Sequence, residues 1–216
     1  ILLLLFELET AVSPDERLKG LLRFGIHGMR MLCTAAIVMA FLGYFGEWLT
    51  LLPSELLVGE ACARVNEGWS YMVKLDDFVS LTAENCGQFG ADTRLVIGLD
   101  GVIASPAGLL EGQRLALVDV INSAAWILVV ILLEIEVRLL TRWGGGSRPM
   151  ARLASSLKVV LYTTLVVAAI YWGFKGDFLD FWDAALWLFA FVFIELNVFE
   201  WQQEIRDQTE SAQGPV

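Results

Sequence analysis

From Leu157 to Phe174 the chain runs 18 residues with one charged side chain, Lys158. A helix of about 20 apolar residues matches the hydrocarbon core of a bilayer. Comparable runs recur and place spans at about Leu22–Leu49, Leu115–Leu140, Leu157–Phe174 and Leu179–Trp201. The apolar stretch Ile1–Leu8 reads as the exit end of a first span whose start is missing. The expected fold is therefore all-α: a polytopic membrane helix bundle of about five spans, the first truncated, with a small outward-facing cap between spans two and three. Residues 1–50 hold the first helix end and the second span. Residues 51–115 form the cap, residues 116–202 spans three to five, and residues 203–216 a cytoplasmic tail.

Composition agrees with that setting. Hydrophobic residues make up 56% of the chain and the mean hydropathy is +0.62. That exceeds the ~45–50% typical of soluble domains, and the excess sits in the runs. A net charge of −10 excludes a polyanionic partner such as nucleic acid. It also argues against peripheral attachment to anionic lipid. Several of the Trp residues flank the runs, where aromatic belts form.

Charge sets the direction of the spans. Between Val137 and Lys158 lie Arg138, Arg142, Arg148, Arg152 and Lys158, with no acidic residue. Arg17, Lys19 and Arg23 precede the second span. By the positive-inside rule these two connections are cytoplasmic. Residues 51–115 hold nine acidic and four basic residues, and Lys175–Asp183 holds three Asp and one Lys, so both face outward. The C-terminus is then cytoplasmic. Short loops and a disulfide on the outside point to a bacterial inner membrane.

Two segments repeat. Gly43-Tyr-Phe-Gly-Glu-Trp-Leu49 aligns with Gly173-Phe-Lys-Gly-Asp-Phe-Leu179, and Glu7 with Glu134 at nearly the same offset. The unit is an incoming helix ending in Glu-x-Glu, a basic turn, and an outgoing helix ending in Gly-x-x-Gly-acidic. Both copies run in the same direction, a parallel internal repeat. The fifth span resembles the first half of a third copy.

The repeat places carboxylates near the cytoplasmic ends of the odd spans: Glu7 and Glu9, Glu134 and Glu136, and Glu195, with Asn197 where a further Glu would complete the pattern. Acidic groups inside a membrane boundary need partners. Arg138 lies four residues after Glu134 on one helix face. Glu136 is roughly 200° further around from Glu134 and must face elsewhere. Glu7 and Glu195 lack a basic residue four positions on, so their partners must come from other helices, with Arg23, Arg30 and Arg138 as candidates. Structural ion pairing is one reading. Convergence of Glu7, Glu134 and Glu195 on a cation or proton site is the other, because carboxylate oxygens suit hard cations.

His27 is the single histidine. One His cannot build a multi-histidine metal centre. Its remaining cofactor role is a single axial ligand to a porphyrin or chlorophyll; otherwise it packs or hydrogen-bonds to a neighbouring Glu. No metal or cofactor is predicted, although the Phe- and Trp-rich fifth span suits bound lipid or pigment. Gly25-x-x-Gly28 and Gly43-x-x-Gly46 differ in spacing from the usual small-residue contact motif. Gly144-Gly-Gly146 is a turn without the features of a phosphate loop. Ser residues lack a second His to assemble a hydrolase triad.

In the cap, Cys62 and Cys86 are expected to form a disulfide, and Cys33, in the second span, to pack as an inert thiol. Ser54–Val65 and Trp69–Leu81 look partly helical. Leu95-Val-Ile-Gly-Leu followed by Asp100-Gly101 signals a hairpin over Leu95–Ile103. Asp76-Asp77 does not constitute a calcium loop.

These features predict a non-enzymatic integral membrane subunit that packs with and scaffolds a larger membrane complex. Its partners would be lipids and other integral membrane subunits or further copies of itself. The alternative is an ion- or proton-conducting channel or carrier that uses the acidic ends of the odd spans.

Overall fold

The computed structural model describes residues 21–143, 148–175, 178–193 and 196. Helix α1 covers Leu21–Leu51, α2 Pro106–Trp143 and α3 Arg148–Lys175. Residues 178–193 form a further helix, α4. Three stretches are long and apolar enough to cross a membrane: Met31–Leu51, Pro106–Ile135 and Arg152–Lys175. The expected first span, including Glu7 and Glu9, lies outside the described residues. So does the end of the fifth.

The chain divides into two units, Ile1–Met39 with Asp177–Val216, and Ala40–Gly176. In the first, the α4 ring of Phe178 stacks on Trp182 one turn later, at 6.3 Å between centroids, and tilts against Phe181 at 6.2 Å. Ala184 and Phe191 are buried.

The second unit joins a helical hairpin to the cap. Helices α2 and α3 pack along their length. Ala125, Val129, Leu132 and Leu133 are buried on α2, and Leu161, Leu165, Ala168 and Ala169 on α3. Thr163 and Thr164 donate their hydroxyls to the carbonyls of Val159 and Val160 at 2.7 and 2.9 Å. Such back-bonding is how a hydroxyl is satisfied in an apolar helix.

The expectation of an all-α chain is corrected by the cap, which is built on a five-stranded sheet. Its strands are β1 (Ser54–Leu56), β2 (Ser70–Lys74), β3 (Asp77–Ser80), β4 (Arg94–Val96) and β5 (Val102–Ala104). The order is β1-β4-β5-β2-β3, with β2 and β5 parallel and the other neighbours antiparallel. The expected Leu95–Ile103 hairpin is present as β4–β5, with Leu95 opposite Ile103. The expected helicity over Trp69–Leu81 is wrong: that segment is the β2–β3 hairpin. Its two-residue connection, Leu75-Asp76, puts Asp76 at φ 64, a conformation that Asp tolerates better than most residues. Ser54–Val65 divides into β1 and the start of a 3-10 helix over Ala61–Glu67.

Side chains alternate across the sheet. Met72, Val96, Val102 and Ala104 join Leu51 at the end of α1 and Leu109 and Ala116 on α2 in one core. Ile103 turns to the other face, where it packs with Ala61, Leu81 and Cys86, flanked by Leu95, Tyr71 and Phe89. Cys62 and Cys86 are joined by a disulfide across this second core, with Cα atoms 4.9 Å apart.

The third span begins earlier than its apolar run suggests. Ser105 accepts the Gly108 N–H at 3.1 Å through its Oγ, and Pro106 occupies the first helical position. Both are strong helix-start signals. The first turns of α2 lie beside the sheet, contributing Leu109 and Ala116 to the cap's core.

Candidate interaction surface

Polar groups collect where the cap meets the helices. Gln113 Nε2 donates to the Leu51 carbonyl at 2.7 Å and satisfies an orphan acceptor at the end of α1. Glu47, one turn earlier, has its carboxyl group close to that of Asp76 in the β2–β3 turn and lies within electrostatic reach of Asp119 on α2. Trp172 Nε1 donates to Asp119 Oδ1 at 3.1 Å and fastens α3 to α2. Lys175 Nζ pairs with Glu111 Oε1 at 3.4 Å on the surface. Lys175 therefore lies at the same end of the unit as the cap.

This girdle has counterparts at the other helix ends. Arg30 and Glu47 are 17 positions apart, Asp119 and Arg138 19, and Arg152 and Trp172 20. At a rise of ~1.5 Å per residue these separations are roughly 26, 28 and 30 Å, close to the ~30 Å of a hydrocarbon core. On each helix taken by itself, the spacing between the girdle residue and the arginine is thus that of the two edges of an apolar slab. It is not a metal centre: no group of three or more His, Cys, Asp or Glu among the described residues could hold a metal ion.

The apolar surface between these edges is widely exposed. Among the described residues, none from Met31 to Thr50 is buried. The four glycines of α1 share one side of it. Gly25 and Gly43 are 18 positions apart, as are Gly28 and Gly46. Eighteen residues make five turns, so the two pairs lie over one another along the helix. A Cβ at any of the four would meet nothing within 4 Å. Leu32, Ala35 and Met39 continue the line between the pairs at steps of three or four residues, the spacing of one helix face. Leu32 and Met39 are 67% and 73% exposed. Open glycines with protruding apolar side chains between them form a surface that another helix backbone can approach closely.

The residues singled out from sequence fare unevenly. Glu134 is half-buried on α2 and is not without a partner. Glu7, Glu9, Glu195 and Asn197, and the side chains of His27, Arg30, Glu136 and Arg138, lie outside the described residues, and with them the convergence of carboxylates on one site. The second copy of the Gly-x-x-Gly-acidic motif reaches residues 176 and 177, which are also outside. Cys62 and Cys86 are paired as expected, and Cys33 is a half-buried free thiol. Sequence reasoning missed the girdle, because Glu47, Asp76 and Asp119 come from three elements far apart in the chain.

Compared with family models, with curated proteins and with solved structures, the chain shows no match.

Proposed function

We propose that this chain is a non-enzymatic integral membrane subunit that scaffolds a larger membrane complex. It docks a helix of a neighbouring membrane subunit on the glycine face of α1. The observation that carries the reading is the unburied stretch of α1 from Met31 to Thr50, with open space at Gly43 and Gly46. Lipid alone does not call for glycines in register over five turns, whereas close helix packing does. The girdle lies at the outer membrane surface and the Arg-rich ends of α2 and α3 at the cytoplasmic one, by the positive-inside rule. The cap then occupies the outside, where a disulfide persists. In a bacterium this setting is the inner membrane.

The test is purification in mild detergent of the native chain and of a Gly43→Leu/Gly46→Leu variant. The reading expects a stoichiometric membrane partner with the native chain and its loss with the variant. The variant itself should keep its thermal stability, since the added side chains meet open space. A native chain that purifies alone, or a variant that keeps its partner, contradicts the docking face.

A further inference from the structure

The loop between β4 and β5 is seated on the end of α1. Ile97 donates its N–H to the Pro53 carbonyl at 3.0 Å. A Cβ on Gly98 would strike the Thr50 backbone, so glycine is what lets the loop touch the final turn of α1. Gln113 fixes that turn from the other side through the Leu51 carbonyl. The height of Ile97 is therefore tied to Leu51, the last residue of the span Met31–Leu51.

That height is informative. Leu52 follows Glu47 by five positions, or about 8 Å along a helix axis. With Glu47 at the edge of the apolar slab, Leu52 and Ile97 fall in the headgroup layer, which spans roughly 5–8 Å on each side of the core. Both are apolar and unburied: Leu52 is 44% exposed and Ile97 56%. Leu49, three positions before Leu52 and also exposed, continues the apolar surface down α1 toward the core.

We propose that Leu52 and Ile97 insert into the headgroup layer of the outward leaflet and hold the cap against the bilayer. The occupant of this patch is lipid, because its depth is set by the end of a membrane span and its surface continues that span's apolar side. The inference rests on the membrane reading of α1, and its test separates the two.

Ile97→Cys and, independently, Leu52→Cys are prepared in a Cys33→Ala background, labelled with an environment-sensitive fluorophore and reconstituted into phosphatidylcholine vesicles. Val160→Cys, near the middle of the α3 span, is the control. The expected result is loss of emission from positions 97 and 52 to a doxyl lipid labelled near its headgroup, exceeding the loss to aqueous iodide. Position 160 should be quenched by a doxyl lipid labelled near its chain end. Quenching of positions 97 and 52 by iodide alone overturns the proposal. So does insensitivity to both quenchers, which would mean that protein covers the patch. If position 160 also ignores lipid quenchers, the membrane reading fails with it; if position 160 responds and the cap positions do not, the anchor alone fails.

Discussion

Replacing Cys62 and Cys86 together with alanine is expected to loosen the cap while leaving the helical hairpin intact. The bond closes a sequence separation of 24 residues. The loop-entropy relation gives about 3.5 kcal/mol for a closure of that size. That figure is an upper value, because α1 and α2 already hold the ends of the cap and restrict its unfolded ensemble. A further fraction comes from packing: Cys86 is buried with Ile103, Leu81 and Ala61, and alanine fills less of that space. The residues between Leu51 and Pro106 amount to a small domain, with a stability of roughly 3–8 kcal/mol at ordinary per-residue values. Losing most of 3.5 kcal/mol brings such a domain close to its unfolding midpoint. Hydrogen exchange read by mass spectrometry resolves the effect. Peptides covering Val102–Ala104 should exchange up to ~300-fold faster in the variant, while peptides from the middle of α2 and α3 keep their protection. Unchanged protection of β5 would refute the role given to the bond. Equal loss from the helices would refute the separation of cap and hairpin stability.

Two other substitutions probe the junction of cap and helices. Trp172→Phe keeps the ring's packing but leaves Asp119 Oδ1 without its indole donor, and should cost about 1–3 kcal/mol in thermal unfolding of the detergent-solubilised protein. Gly98→Ala pushes a methyl group into the Thr50 backbone and should lower the unfolding temperature clearly more than Gly87→Ala, where a methyl group meets nothing within 4 Å.

The apolar runs announced the helices because a bilayer demands length and apolarity from each span separately, and both are local properties. The β4–β5 hairpin was legible for a similar reason: β-prone Leu95, Val96 and Ile97 precede Asp100-Gly101, and Gly101 does adopt a positive φ of 64°. The β2–β3 hairpin was not legible. Its turn uses Leu75-Asp76 rather than a glycine, and all four β3 residues are exposed, so the strand lacks the alternation that marks a half-buried edge. The true start of α2 was hidden because its first turns, which lie beside the cap, carry Glu111, Gln113 and Arg114 ahead of the apolar run. In the candidate surface, each Gly-x-x-Gly pair was visible, but the shared face appears only when 18 residues are converted into five turns of one continuous helix. The girdle depends on contacts between residues as far apart as Asp119 and Trp172, which no local pattern encodes.

The central claim is that the glycine face of α1 meets another membrane helix, and photocrosslinking in intact membranes tests it most directly. A photoreactive amino acid is placed at position 43, and separately at position 46, and the membranes are irradiated without detergent. The account predicts one discrete protein adduct of fixed mass from each position, carrying a membrane-embedded segment of the partner. Adducts to lipid alone from both positions would contradict it.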